Sequence, residues 1–185
     1  MYGFIGKVLR VDLSSGALSE EAISEEDARL FLGGSGLATK YLIDELAPGV
    51  DPLGPENKLI YMTGPLTGTA SPSAGRFAAV AKSPLTGLWG EANSGGRWGC
   101  DLKRSGYDGI IIEGKAAAPV VLVIDNGKAR LQDAASLWGK NVFDQDYATS
   151  AYSRFISPLI FGVLQIDPVQ IDTGAKYGVE VRWNF

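Results

Sequence analysis

The chain has 185 residues, of which 45% are hydrophobic, 10% aromatic and 21% charged, so it has the composition of a folded protein. Its length predicts one domain, or one domain with an appendage. It contains no histidine and a single cysteine, Cys100. These counts exclude Ser–His and Cys–His catalysis, histidine-ligated zinc, disulfides within the chain and an iron–sulfur cluster held by cysteines of this chain alone.

The charge balance and the first residues limit the expected partners and location. The net charge is −4 and no basic run is present, so a nucleic acid partner is not expected. Lys7 and Arg10 interrupt the stretch in which a signal peptide needs apolar residues, which predicts a cytoplasmic protein. No apolar run reaches the roughly 18 residues of a transmembrane helix, so no membrane association is expected.

The first half of the chain predicts a hairpin, two helices and two strands. Leu9, Val11 and Leu13 alternate with polar residues as in a half-buried strand, and Ser14-Ser15-Gly16 predicts a turn into a second strand near residues 17–23. Ser24 is the expected N-cap of a helix that stops at Gly33-Gly34. A second helix is predicted at residues 37–46, followed by strands at residues 58–62 and 76–82.

The second half predicts a helix and further strands. Residues 91–96 lead into a short helix at residues 97–105, which Gly106 ends. Strands are predicted at residues 109–113, 120–124 and 129–132, with a tight hairpin turn at Asn126-Gly127. This order of elements is not the strict alternation of a doubly wound fold. It predicts an α+β fold with mixed or antiparallel sheets and a few short helices.

Two glycine-rich segments are candidates for ligand binding. Gly33-Gly34-Ser35-Gly36 precedes a helix but does not follow a strand and lacks the G-x-G-x-x-G spacing, so a helix break with a tight backbone approach is favoured over a nucleotide site. Asn93, Ser94, Gly95 and Gly96 place free N–H groups before a helix, where an anion is favoured, and Arg76 and Arg97 could add contacts to a phosphate. The alternative is a plain junction between a loop and a helix, with both arginines in solvent. Cys100 is interpreted as a small buried residue rather than a nucleophile.

A series of short motifs, in order along the chain, resembles the N-terminal domain of the aldehyde:ferredoxin oxidoreductases. The motifs are Phe4-x-Gly6-x-x-Leu9-Arg10-Val11-Asp12-Leu13, Asn57-Lys58-Leu59, Gly64-Pro65-Leu66-Thr67-Gly68, Gly75-Arg76, Lys82-Ser83-Pro84-Leu85-Thr86-Gly87, Ala92-Asn93-Ser94-Gly95-Gly96, Ser105-Gly106-Tyr107-Asp108, Glu113-Gly114-Lys115-Ala116 and Leu137-Trp138-Gly139-Lys140. The resemblance covers residues 1 to about 140.

This resemblance implies a tungsten or molybdenum bis-pterin enzyme that oxidises aldehydes to carboxylic acids and passes electrons to ferredoxin. In that family the N-terminal domain is the base on which the tungstopterin (or molybdopterin) rests. Arg76, Asn93 and Gly95 stand at positions that the family uses for the pterin phosphates, and the backbone carbonyl of Asn93 matches a ligand of the bridging magnesium ion. Gly96 is included with this segment, and Arg97 is a candidate on physical grounds alone.

The resemblance is incomplete, because the family's [4Fe–4S] cluster needs four cysteines that this chain does not have. A later loop that completes the pterin cradle and the residues for aldehyde chemistry are also missing. No residue of this chain is therefore expected to be catalytic, and the chain alone is expected to be catalytically incomplete. Apolar surface left exposed by the missing part predicts self-association.

Residues 141–185 form a tail of uncertain origin that is expected to be rich in β-strands. From Tyr177 to Phe185 apolar and polar residues alternate, as in one strand of an outer-membrane barrel or a half-buried strand of an ordinary sheet. Asn141–Ala148 resembles a stretch near the C-terminus of TonB-dependent outer-membrane receptors. The hypothesis is a chimeric or truncated reading frame joined near residues 141–146.

The sequence thus predicts an α+β base domain at residues 1–140 that forms part of a tungstopterin platform. Two alternatives remain: a non-catalytic folded remnant that binds no cofactor, and a fragment that works only with a partner subunit.

Overall fold

A computed structural model describes residues 2–125, 127–134, 163–165 and 178–184, the last two ranges at the level of the backbone. The strands are β1 (Lys7–Asp12), β2 (Ala17–Ala22), β3 (Leu59–Thr63), β4 (Phe77–Lys82), β5 (Trp89–Ser94), β6 (Gly109–Glu113), β7 (Val120–Asp125), β8 (Lys128–Asp133), β9 (Val163–Gln165) and β10 (Gly178–Asn184). The helices are α1 (Glu25–Phe31), α2 (Gly34–Glu45) and α3 (Trp98–Arg104).

Six strands form the main sheet in the order β2-β1-β6-β3-β4-β5. The central pair β1 and β6 is parallel, and the other neighbours are antiparallel. This mixed sheet, with three helices, confirms the predicted α+β class. Within the described residues β5 is at one edge of the sheet, a position that matters for the site below.

Each face of the main sheet buries a separate hydrophobic cluster, because successive side chains of a strand point to opposite faces. On one face α2 packs against Val8, Ile60, Met62, Val80 and Ile111 through Leu37, Ala38, Tyr41 and Leu42. On the other face Leu9, Val11, Tyr61, Ile110 and Ile112 pack with Leu102 of α3 and with Leu122 and Ile124 of β7. The sheet is therefore the middle layer between α2 and a layer that contains α3 and β7.

A buried carboxylate attaches the beginning of the chain to this framework. Asp108 is fully buried, accepts hydrogen bonds from the backbone N–H groups of Ile5 (3.1 Å) and Gly6 (2.6 Å), and lies 3.1 Å from the ammonium group of Lys103. A buried charge is stable only when it is paired in this way.

A second group of charges fixes the C-terminal end of α2 to the sheet. The Arg10 guanidinium on β1 donates to Glu45 (Nη1 to Oε2, 2.8 Å), and Lys58 Nζ lies 3.3 Å from the same carboxylate. Hydrogen bonding to Arg10 lowers the pKa of Glu45 below its ordinary value of 4.5, against the opposing effect of burial. These contacts hold one end of α2 while its other end reaches the cleft described below.

The second sheet has the order β8-β7-β10-β9. Its hairpin of β7 and β8 confirms the turn predicted at Asn126-Gly127, and Gly127 has the positive φ (77°) that such a turn requires. The predicted strand at residues 177–185 is also present: β10 pairs antiparallel with both β7 and β9. The stretch Asn141–Ala148, which resembles outer-membrane receptors, lies outside the described residues.

In the glycine-rich segments one sequence-based expectation is confirmed and two boundaries are corrected. The helix break with a close backbone approach predicted at residues 33–36 is present, because α1 ends at Phe31, Gly33 is the N-cap of α2, and a Cβ atom on Gly33 would lie 2.9 Å from the carbonyl oxygen of Thr63. The second helix begins earlier than predicted, at Gly34 instead of residue 37. The loop predicted before α3 begins later than expected, since Asn93 and Ser94 are the last residues of β5 and pair with Ala78 and Phe77 of β4. Strand pairing with β4 overrides the low β-propensity of Gly, Asn and Ser.

Among the described residues, no helix combines the length and the apolar composition that crossing a bilayer requires.

The lowered pKa of Glu45 predicts a change in acid stability for the substitution Glu45→Gln. A carboxylate whose pKa is lowered by folding stabilises the protein above its unfolded-state pKa, and this contribution is lost as the pH falls below about 4.5. Glu45→Gln should therefore lower the free energy of unfolding by about 1 kcal/mol at pH 7 and flatten its pH dependence below about pH 4.5.

Urea denaturation across this pH range measures both effects. The matched control is Glu56→Gln, which removes an exposed carboxylate that forms no ion pair within the described residues. An equal effect of the two substitutions would contradict a specific role for Glu45.

Candidate functional site

A cleft of about 320 Å³ lies where the beginning of α2, the loop between β3 and β4, and the end of β5 meet. Its lining consists of Gly34 and Ser35 from α2, residues 64–67 and 71–74 of the loop, Arg76 just before β4, Phe77 and Ala78 at the start of β4, and Asn93 of β5. Two residues predicted from the sequence, Arg76 and Asn93, are thus brought to one cleft from positions 17 apart in the chain.

The loop on one side of the cleft is held in shape by Thr67, which is 5% exposed. Its hydroxyl accepts from the N–H of Gly64 (3.1 Å) and donates to the carbonyl of Arg76 (2.8 Å). A backbone hydrogen bond from Gly68 to Ala74 (2.9 Å) closes the loop. Because these bonds fix the backbone of Arg76, they also determine where its side chain starts.

The guanidinium of Arg76 is an unpaired cation at the lining of the cleft. Arg76 is exposed, and within the part of the chain that the structure describes its side chain has no ion pair or hydrogen bond. A guanidinium offers five N–H donors in a rigid fork that suits phosphate or carboxylate oxygens. The residue is therefore available to bind an anion.

The N-terminus of α2 contributes backbone donors that the sequence did not single out. Its N-cap, Gly33, has no side chain to cap the first turn, and no acidic residue occupies that turn. The first N–H groups of a helix lack partners within the helix and carry partial positive charge. Gly34 and Ser35 place this end of a 12-residue helix at the cleft that Asn93 also lines. The signal in the sequence is Gly33-Gly34-Ser35-Gly36, where the predicted helix break is the start of α2.

Asn93 reaches the cleft from the edge strand β5, directly opposite Ala78 of β4. Its side-chain NH₂ group donates to the carboxylate of Glu91, which also accepts from the hydroxyl of Ser35. The Asn93 side chain is therefore connected to the start of α2.

Gly95, Gly96 and Arg97 lie beside the cleft and are not part of its lining. A Cβ atom added to Gly95 or Gly96 would meet nothing within 4 Å, so the backbone there is open to an approaching ligand. Gly96 also contacts Gly75, the neighbour of Arg76. Arg97 precedes the seven-residue helix α3, and its Nε atom lies 3.4 Å from Asp101, so this guanidinium is already paired.

These donors fit a phosphate-bearing ligand better than a bare metal ion. The described residues contain no cluster of three or more His, Cys, Asp or Glu side chains that could hold a metal. Arg76, the uncapped start of α2 and the open glycine backbone are instead donors that suit an anion. Magnesium is commonly held by few protein ligands together with phosphate oxygens, so it would need such a ligand here.

The fold and the cleft together define an α+β domain with a glycine-rich site that suits an anionic group. The family model of the aldehyde ferredoxin oxidoreductase N-terminal domain matches residues 8–161, and this chain belongs to that family. The match confirms the resemblance found in the sequence and extends past residue 140, the end of the predicted base domain. Nothing found supports the resemblance of residues 141–185 to outer-membrane receptors, which stays a prediction.

Individual relatives agree with the family. The tungsten-containing aldehyde ferredoxin oxidoreductase of Pyrococcus abyssi is 49% identical over 148 residues, which are 80% of this chain and 24% of the relative. The aliphatic sulfonate oxidoreductase, WOR-like subunit, of Pyrococcus furiosus is 44% identical over 75% of this chain and 22% of the relative. The chain therefore spans about a quarter of the length of these relatives.

A solved structure has the same fold. The active site complex BamBC of benzoyl coenzyme A reductase, in complex with 1,5-dienoyl-CoA, superposes with a TM-score of 0.72 at 40% identity, over 74% of this chain and 21% of that one.

The close contact between Gly75 and Gly96 predicts a large difference between two Gly→Ala substitutions. In Gly75→Ala the new methyl group would lie 2.5 Å from the carbonyl oxygen of Gly96, so the two segments must separate. We expect a loss of about 1–3 kcal/mol in the free energy of unfolding, the usual cost of overpacking. Gly95→Ala, where the space is open, should change it by less than about 0.5 kcal/mol.

Chemical denaturation of both variants makes the comparison. Equal stabilities would show that the Gly75 contact does not constrain the cleft.

Proposed function

We propose that this chain is the cofactor-holding N-terminal part of a tungsten (or molybdenum) bis-pterin aldehyde:ferredoxin oxidoreductase. The observation that carries the proposal is the meeting of Arg76, Asn93 and the uncapped start of α2 in one cleft. When bound, the metal–pterin cofactor supplies the redox centre of the reaction. The residues of this chain bind and orient it.

The proposed roles follow from the donors of each residue. Arg76 binds a phosphate of the cofactor through its guanidinium, since it has no competing carboxylate among the described residues. The open backbone at Gly95 and Gly96 allows a phosphate to approach the main chain. The backbone carbonyl of Asn93 would serve as a ligand of a magnesium ion bound together with those phosphates. Arg97 is the weakest member of this set, because Asp101 already pairs with it.

The names of the relatives support a role in holding the cofactor rather than in choosing the substrate. They refer to an aldehyde, an aliphatic sulfonate and a benzoyl coenzyme A compound, while the same domain occurs in all three proteins. We therefore assign substrate selection to the three quarters of the relatives that this chain does not match. Ferredoxin as electron acceptor and a cytoplasmic location belong to the same proposal.

This chain is not expected to turn over an aldehyde by itself, because it has no histidine and a single cysteine. Exposed apolar side chains, among them Leu66 at the cleft and Leu85, Leu88 and Trp89 on and beside the turn between β4 and β5, support the predicted tendency to self-associate.

Removal of the Arg76 guanidinium should weaken binding of a phosphate ligand. We expect Arg76→Ala to reduce the affinity of the full 185-residue chain for magnesium pyrophosphate about tenfold, the effect of losing a charged hydrogen bond. Isothermal titration calorimetry measures the affinity.

The control is Arg29→Ala, which removes an exposed positive charge from the last turn of α1 and should leave the affinity unchanged. An equal loss of affinity in both variants would indicate that binding depends only on the net charge of the chain.

The metal content of the purified chain distinguishes two hypotheses: a domain that holds the cofactor, and a folded remnant that binds none. After expression in a host that makes the pterin cofactor, the purified chain should contain stoichiometric tungsten or molybdenum by mass spectrometry, and Arg76→Ala should contain less. Absence of both metals would favour the remnant or the need for a partner subunit.

A further inference from the structure

Glu91 lies two residues before Asn93 in β5 and does not line the cleft. It shares one face of β5 with Asn93, because residues two apart in a strand point to the same side. One of its carboxylate oxygens, Oε1, accepts both from the hydroxyl of Ser35 and from the side-chain NH₂ of Asn93. A single carboxylate therefore joins two groups that do line the cleft, from two different elements.

The Glu91 carboxylate determines which end of the Asn93 side-chain amide is already hydrogen-bonded. An ionised carboxylate only accepts hydrogen bonds, so it can hold the NH₂ end of the amide and not the carbonyl end. Within the described part of the chain, Oδ1 of Asn93 accepts no hydrogen bond. The atom left over for a ligand is thus an oxygen acceptor.

A neighbouring contact between β5 and α2 does not involve the cleft. The indole N–H of Trp89, two residues before Glu91, donates to the hydroxyl of Thr39 over 2.9 Å. Thr39 follows Ser35 by about one helical turn. This second contact therefore offers a matched control: it joins the same strand to the same helix but touches neither Asn93 nor the lining of the cleft.

We propose that Glu91 is a positioning residue that orients the Asn93 amide, so that its side-chain oxygen faces the ligand. In this orientation the Asn93 side chain offers an oxygen acceptor in addition to the proposed backbone carbonyl, which suits a hard cation such as magnesium or an N–H donor of the ligand and not a phosphate oxygen. The proposal rests on the proposed function, because it assumes that a phosphate ligand and magnesium occupy this cleft.

The isosteric substitution Glu91→Gln distinguishes positioning from simple charge. A glutamine can accept from or donate to Asn93, so the orientation of the amide is no longer enforced. If Glu91 acted only through its negative charge, its removal would strengthen the binding of an anionic ligand. Positioning predicts the opposite sign.

The experiment measures the affinity of the full chain for inorganic pyrophosphate with and without magnesium, by titration calorimetry. We expect Glu91→Gln to weaken binding of magnesium pyrophosphate about three- to fivefold and to leave binding of metal-free pyrophosphate unchanged or stronger. In an Asn93→Ala background the same substitution should have no effect, because its action passes through Asn93. Thr39→Val should leave both affinities unchanged.

A second measurement does not depend on the ligand. In ¹⁵N-labelled protein the side-chain NH₂ resonances of Asn93 should shift in Glu91→Gln and stay in place in Thr39→Val. Unchanged or stronger binding of magnesium pyrophosphate in Glu91→Gln, or an equal loss in the Asn93→Ala background, overturns the role of Glu91 and leaves the proposed function intact. A wild-type chain that binds pyrophosphate in neither condition overturns the proposed function, and this inference with it.

Discussion

The cleft depends on two backbone segments that approach each other more closely than a side chain would allow. Gly75 lies so near Gly96 that a Cβ atom would come within 2.5 Å of its carbonyl oxygen. Gly33, with a φ of 82°, makes a similar approach to the carbonyl of Thr63. These two contacts bring the residue before Arg76 to the segment just after β5, and the start of α2 to the end of β3. Both therefore lie where the elements that line the cleft meet.

The helix that forms one wall of this cleft is fixed at both ends. At its C-terminal end Glu45 is held by Arg10 of the sheet, and near its N-terminal end Ser35 donates to Glu91 of β5. Between these points its apolar side chains pack against the sheet. Donors placed on such a rigid framework need little reorganisation when a ligand binds, which favours affinity.

The arrangement suits a domain that holds part of a ligand and leaves the rest to another part of the protein. The donors line one open cleft, and the relatives are about four times longer than their matched region. The same domain in proteins named for different substrates fits this division, in which holding the cofactor is separate from selecting the substrate. The hydrogen bonds from Ser35 and Asn93 to Glu91 connect the framework to the proposed orientation of the Asn93 amide, which places its side-chain oxygen toward the ligand.

The sequence by itself determined the α+β class, the hairpin turns, the Ser24 cap of α1 and the family, because these depend on local patterns and on ordered motifs. It also singled out Arg76 and Asn93. Only the tertiary structure decided that Asn93 belongs to the last residues of an edge strand, since pairing with β4 outweighs the weak strand propensity of its neighbours. The link between Ser35 and Glu91 joins residues 56 apart in the chain, and no local pattern encodes it, because packing of α2 on the sheet creates the contact.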